Sequence, residues 1–178
     1  MPEHAKRRVL IVAAVGVAAV AAGIGAHRFL RGESTQDVAL AELQQLTLPD
    51  ASGVPQNFGQ WKGKVLVLNF WATWCEPCRE EVPALIRIQQ KFGAKSVQIV
   101  GIGIDSAAKI REFSKEFQIN YPLTVGGLDQ IDLSRRLGNK IGGLPYTLII
   151  DRNGQLVKAK LGGISEAELE GLLRPLLG

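Results

Sequence analysis

"NFWATWCEPCREEVP", residues 69–83, holds both cysteines of the protein, Cys75 and Cys78. Just before them runs "KVLVLNF" (64–70), whose Val and Leu side chains suit a strand buried on both faces. From Cys78 the apolar spacing turns helical: Val82, Leu85, Ile86 and Gln89 share one face, and Pro83 within it predicts a kink. A thiol pair between a buried strand and a helix can be a structural staple, half a metal site or a redox switch.

A structural zinc site needs four ligands, and there is no second cysteine pair. Both histidines, His4 and His27, lie in the N-terminal segment, so the same lack counts against a copper site. A bridge closing two intervening residues removes little entropy from the unfolded chain, which makes it a poor staple. A redox pair is the reading that spacing and context favour. Cys75 would sit where a strand feeds a helix, with Pro77 tolerated in the first turn. Unpaired amides and the helix dipole there stabilise a thiolate, which makes Cys75 the attacking nucleophile. Cys78, one turn inside, resolves the mixed disulfide. Trp71 and Trp74 are expected to pack around the pair and limit solvent access.

Outward from this centre, "LTLPDASGV" (46–54) reads as a hairpin turning at Asp50 to Gly53. "SVQIVGIGID" (96–105) is a second central strand, and "SAAKIREFSKEF" (106–117) is an amphipathic helix with Ile110, Phe113 and Phe117 on one face. "LDQIDLSRRLG" (128–138) is a short helix, and "YTLIIDRNGQLVKAKLGG" (146–163) a hairpin around Asn153-Gly154. "SEAELEGLLRPLLG" (165–178) closes the chain as a helix opened by a Ser165–Glu168 capping box. The order β-α-β-α-helix-β-β-α predicts an α/β fold, a mixed central sheet flanked by helices. A reactive group at the carboxyl end of its first central strand is well placed for a site.

The front of the chain differs in kind. Lys6, Arg7 and Arg8 precede "VLIVAAVGVAAVAAGIGA" (9–26), 18 residues without charge. As a helix that run reaches about 27 Å, enough for a bilayer core. A cleaved signal peptide and an uncleaved signal anchor both fit, the run length favouring the anchor. Either exports the remainder of the chain, and the basic cluster places the N-terminus inside. The expected organisation is a targeting segment at 1–31, a linker at 32–40 and a folded domain at 41–178. "GESTQDVALAELQQ" (32–45) is read as polar, with at most one short helical turn.

Residues 1–32 hold five of the 21 basic residues and one of the 17 acidic ones, which leaves sixteen of each sign in the remainder. The pI near 9.2 therefore reflects the leader and gives no reason to expect nucleic-acid binding.

Together, "NFWATWCEPCREEVP" and "GGLPYTLIIDRNG" (142–154) resemble the membrane-anchored thioredoxin-fold proteins of the TlpA/ResA type. These are related to the cytochrome c maturation thioredoxins and sit within the redoxin superfamily. The resemblance runs from about residue 40 to the C-terminus. It implies a thioredoxin fold with an N-terminal hairpin and a central insertion, placed at 106–124. It also implies that Pro145 is a cis-proline facing the active site, which lets the Leu144 backbone pair with a substrate peptide beside Cys75. In plain thioredoxin a buried aspartate six residues before the first cysteine assists the inner thiol; here that position is Asn69, which cannot take a proton. Glu81 matches a glutamate found near the cysteines in the ResA-like subgroup. The competing reading makes Glu80 and Glu81 both solvated helix-face charges.

Glu76 bears on direction. A carboxylate at about 6 Å from the Cys75 thiolate, at an effective dielectric near ~40, opposes it by roughly 1.4 kcal/mol. That makes the couple about 30 mV more reducing. The expected protein is an exported, membrane-tethered reductant of protein disulfides on the periplasmic side, with Cys75–Cys78 as its redox group and no other cofactor. Because its compartment is oxidising, an integral membrane thiol donor must recharge it. Apocytochrome c is the substrate that the resemblance implies, and a copper-site protein or metallochaperone is the rival. Readings of other classes are a thiol peroxidase, although Cys75 lacks a T-x-x-C context, and a binding module that uses the Pro145 edge.

Overall fold

Alternation along the strand Val65–Trp71 sets the architecture. The computed structural model describes residues 34–177. In it the side chains of Val65, Val67 and Trp71 enter one core, and those of Leu66, Leu68 and Phe70 enter another. A period of two on a strand buried at every position requires two covered faces.

In chain order the first elements are helix α1 (Thr35–Gln45), the hairpin β1 (Thr47–Pro49) and β2 (Pro55–Asn57), and strand β3 (Val65–Trp71). Helix α2 (Glu76–Phe92), β4 (Val97–Ile104), α3 (Ala107–Glu116), β5 (Leu123–Gly126) and α4 (Leu128–Arg136) come next. Strands β6 (Tyr146–Ile150) and β7 (Leu156–Leu161) and helix α5 (Glu166–Leu173) close the domain. The sheet order is β5-β4-β3-β6-β7, with β4 parallel to β3 and β6 antiparallel to it. This is the thioredoxin-like α/β fold. Helices α2, α3 and α5 supply one core, and α1 and α4 the other.

Two segments depart from the sequence reading. Residues 35–45 are neither linker nor a single turn but an 11-residue helix that buries Ala39, Leu40 and Leu43. Gln36 donates to the Leu137 carbonyl at 3.1 Å, and Arg136 pairs with Glu42. The folded unit therefore begins by Thr35. Tertiary packing rather than a strong apolar stripe makes this helix, which is why its polar composition concealed it. The second departure is β5. Residues 106–124 are an integral part of the sheet's flank: α3 covers one face, and β5 pairs in parallel with β4 from Gly101↔Leu123 to Ile104↔Gly126. Four residues ending at Gly126, with Gly127 next, carry almost no strand pattern of their own.

Other local signals act as their chemistry predicts. Ser106 and Ser165 cap α3 and α5 by accepting from the N–H groups of Lys109 and Glu168. The Glu168 carboxylate pairs with Lys160. In the β6–β7 turn Gly154 has φ +81°, and the Asp151 carboxylate accepts from the N–H groups of Asn153 and Gln155. Helix α2 runs on through the exposed Pro83. Among the described residues no helix is long and apolar enough to cross a membrane; the apolar run 9–26 lies outside them.

Candidate active site

Cys75 is the N-cap of α2, with extended backbone (φ −90°, ψ 107°), so its side chain stands where the helix's unpaired amides converge. Its carbonyl accepts from the N–H groups of Cys78 and Arg79 at 3.1 and 3.2 Å. Pro77 occupies the first turn, where its missing N–H costs nothing. Cys75 and Cys78 form a disulfide with Cα atoms 5.3 Å apart. Cys78 lies deeper, at 1% exposure against 6% for Cys75. An outer and an inner sulfur are the geometry that a dithiol exchange needs.

The two tryptophans part company. Trp71, the last residue of β3, is buried and packs against Phe113 with ring centroids 4.7 Å apart. Trp74 is 67% exposed rather than packed into a core; it forms one wall of an open groove that Cys75 also lines. A residue on a loop between a strand end and a helix N-cap has no second layer above it to bury it. The groove, about 560 Å³, also takes Cys75, Pro77, Ile104, Leu128, Ile131 and Gly142 to Leu144 into its lining. Leu128 and Ile141 stand exposed nearby. The Leu144–Pro145 peptide is cis, and the Pro145 carbonyl accepts from Gly162 N–H at 2.9 Å.

Beneath Cys78 lies a buried polar cluster. Glu81 comes three positions after Cys78 and so shares its face of α2. It is 4% exposed, whereas its neighbour Glu80 faces solvent. The Asn69 side-chain amide donates to Glu81 Oε1 at 2.7 Å, and the Ile164 N–H donates to Oε2 at 2.9 Å. Asn69 also donates to Thr147 Oγ1 at 3.0 Å. Strand register makes this possible: Asn69 and Thr147 are directly opposed on β3 and β6, on the face that α2 covers. Burial pushes the Glu81 carboxyl up to about 7, against the opposing pull of the Ile164 N–H, the Asn69 amide and the Lys160 charge. Asn69, which cannot itself exchange a proton, thus holds a group that can.

Sequence reasoning missed several supports. The Thr73 hydroxyl bonds the Asp105 carboxylate, tying the loop before Cys75 to the end of β4. Burial would raise the Asp105 carboxyl, but bonds from Thr73 and the Ser106 N–H, with Lys109 nearby, hold it below its usual range. Arg79 lies over the Phe113 and Phe117 rings at 5.1 and 5.0 Å and pairs with Glu116. Buried Asn139 donates to the Gly143 carbonyl at 2.9 Å and accepts from Gly143 N–H at 3.1 Å, which fixes the loop that lines the groove. Only Asn139, in "GNKIGG", carries a local hint, since Asn next to Gly favours turns. Glu76, the expected tuning residue, is exposed.

The fold and the Cys75–Cys78 pair define a thiol-disulfide oxidoreductase of the thioredoxin-like class. The comparisons narrow this: the chain belongs to the Redoxin family, whose profile matches residues 32–173. Thiol-disulfide oxidoreductase ResA of Bacillus cereus is 28% identical over 137 residues, 76% of each chain. Thioredoxin-like protein YneN of Bacillus subtilis is 30% identical over 144 residues, 77% of this chain and 81% of that one. A thiol:disulfide interchange protein of the thioredoxin family from Chlorobium tepidum TLS superposes with a TM-score of 0.69 at 27% identity, covering 75% of this chain and 93% of that one.

Proposed function

We propose that this protein is an extracytoplasmic reductant of protein disulfides, tethered by residues 9–26, that prepares the C-x-x-C-H segment of apocytochrome c for haem attachment. The observation that carries the chemistry is Glu81: a buried carboxyl held by the Asn69 amide and the Ile164 N–H, three residues beyond the inner thiol, and pushed up to about 7 by burial. In the reduced protein the Cys75 thiolate attacks one sulfur of the substrate disulfide and displaces the other as a thiolate. Glu81 takes the Cys78 proton, directly or through one water, and the Cys78 thiolate attacks Cys75 Sγ. The products are the Cys75–Cys78 disulfide and a substrate dithiol, two electrons having passed to the substrate. A membrane thiol donor then returns two electrons to the pair, which serves as the redox group without a further cofactor.

Leu144 and Pro145 supply the backbone edge for an extended substrate segment, and the groove beside Trp74 takes its apolar side chains. The acidic Glu76 beside Cys75 supports the reducing direction. The proposed setting rests on the basic-then-apolar leader and on the resemblance to membrane-anchored relatives. The test is trapping: a Cys78→Ser form expressed in its own host retains substrates on Cys75. A c-type cytochrome precursor supports the assignment, whereas a copper-site protein replaces it with the metallochaperone reading. Turnover of hydrogen peroxide would point instead to a peroxidase.

A further inference from the structure

We propose that Asn69 is a positioning residue that sets the basicity and direction of Glu81, so that β3 supplies the donor and α2 the base of one proton-handling unit. The inference rests on the reading of Glu81 as the acceptor of the Cys78 proton. Each Asn69 Nδ2 hydrogen has one destination, Glu81 Oε1 at 2.7 Å and Thr147 Oγ1 at 3.0 Å. Asn69 and Thr147 are themselves buried, so neither bond is exchanged for water. Together with the Ile164 N–H on Oε2, the amide gives each carboxylate oxygen one donor. One lone pair on each oxygen then remains for the thiol proton. Donation to the ionised form favours it and offsets burial; without it Glu81 would titrate higher and keep only the Ile164 N–H to orient it. An aspartate in place of Asn69 would oppose two carboxylates at hydrogen-bond distance, where both cannot ionise. A carboxylate on the helix is therefore matched by an amide on the strand and would be opposed by a second carboxylate there.

The other ionisable groups that act on Glu81 are Lys160 on β7, itself paired with Glu168, and buried Tyr121 before β5; Cys78, three residues back on its own helix, joins them only when the disulfide is reduced. None of these bonds Asn69, so its substitution isolates the amide.

The unit can be inverted on paper. In an Asn69→Asp/Glu81→Gln double variant the amide lies on the helix and the carboxylate on the strand. The Thr147 hydroxyl can turn to donate to the new aspartate, and the Ile164 N–H still finds a carbonyl oxygen. The experiment monitors the second step of reaction with an aromatic disulfide that releases a coloured thiolate at each exchange. The rate is read against pH for the full chain and its variants, with thermal unfolding confirming that each is folded. Glu81→Gln should abolish the midpoint near 7. Asn69→Leu should keep a midpoint but raise it by about one pH unit, slowing the step about fivefold at pH 7. The double variant should recover a midpoint that Glu81→Gln lacks. An unmoved midpoint in Asn69→Leu, or a double variant indistinguishable from Glu81→Gln, overturns the role of Asn69 and leaves Glu81 standing. If Asn69→Leu does not fold, the double variant alone decides. A midpoint that survives Glu81→Gln overturns the reading of Glu81, and this one with it.

Discussion

The two ends of the first two turns of α2 carry the same functional groups in opposite surroundings. At the mouth, Cys75 and Pro77 border an open groove, and Glu76 between them in sequence stands in solvent. At the floor, Cys78 and Glu81 are enclosed by β3, β6 and the Ile164 loop, and every carboxylate oxygen has a named donor. Two glutamates five positions apart thus do different work. Water screens the outer charge, so in the proposed mechanism its effect on the attacking sulfur is small. Exclusion of water moves the inner one to the pH at which proton transfer is useful. In the proposed mechanism the mouth selects and attacks, and the floor manages the proton.

The sharpest break between the ends comes from the sulfurs. Cys75→Ser should remove all exchange, whereas Cys78→Ser should still attack and accumulate as a mixed disulfide, measurable by mass spectrometry of the intact protein. Next is Glu81→Gln, expected to slow release of the mixed disulfide about 10²-fold above pH 7 while the initial attack by Cys75 changes little. Stopped-flow separation of the two steps checks it, and equal loss in both would erase the distinction between mouth and floor.

Glu81 should also leave a mark on stability. Its folded value of about 7 exceeds its ordinary 4.5, so the native state binds more protons between those values. The stability it contributes is full below about pH 4.5 and is lost as pH rises to about 7, a swing of about 3 kcal/mol. Urea unfolding of the oxidised protein across that window should show the slope in wild type and its absence in Glu81→Gln. A smaller effect belongs to the groove: Asn139→Ala, which unties Gly143, should cost about 1–3 kcal/mol and raise KM more than it lowers kcat. The smallest is at the mouth. Glu76→Gln should raise the reduction potential by no more than about 30 mV in a glutathione titration.

How much of this was legible depended on whether the deciding force was local. Strands β3 and β4, the serine caps and the Asn153-Gly154 turn announce themselves because burial and backbone chemistry act within a few residues. Helix α1 and strand β5 are made by what they pack on, α4 and β4, and their own residues say little. Cys75 and Cys78 could be read from spacing, whereas the cis Leu144–Pro145 bond was suggested by family resemblance and not by its neighbours. Glu80 and Glu81 are adjacent in sequence, and the pair could be parted by phase: Glu81 lies three residues from Cys78, Glu80 only two. The expected apolar face began at Val82, whereas the buried stripe runs Cys78, Glu81, Val82, Leu85, Ile88 and Phe92. Asn69, Thr147 and Ile164 lie up to 95 residues apart in the chain, and only the folded register joins them. Trp74 failed for the opposite reason: its apolarity suggested a lid, but the loop leaves nothing above it.

The most direct test is a carbon-13 NMR titration of the glutamate carboxyls in the oxidised protein. One resonance, missing from Glu81→Gln, should titrate with a midpoint near 7. If every glutamate titrates within the ordinary range around 4.5, the floor holds no proton acceptor poised for Cys78.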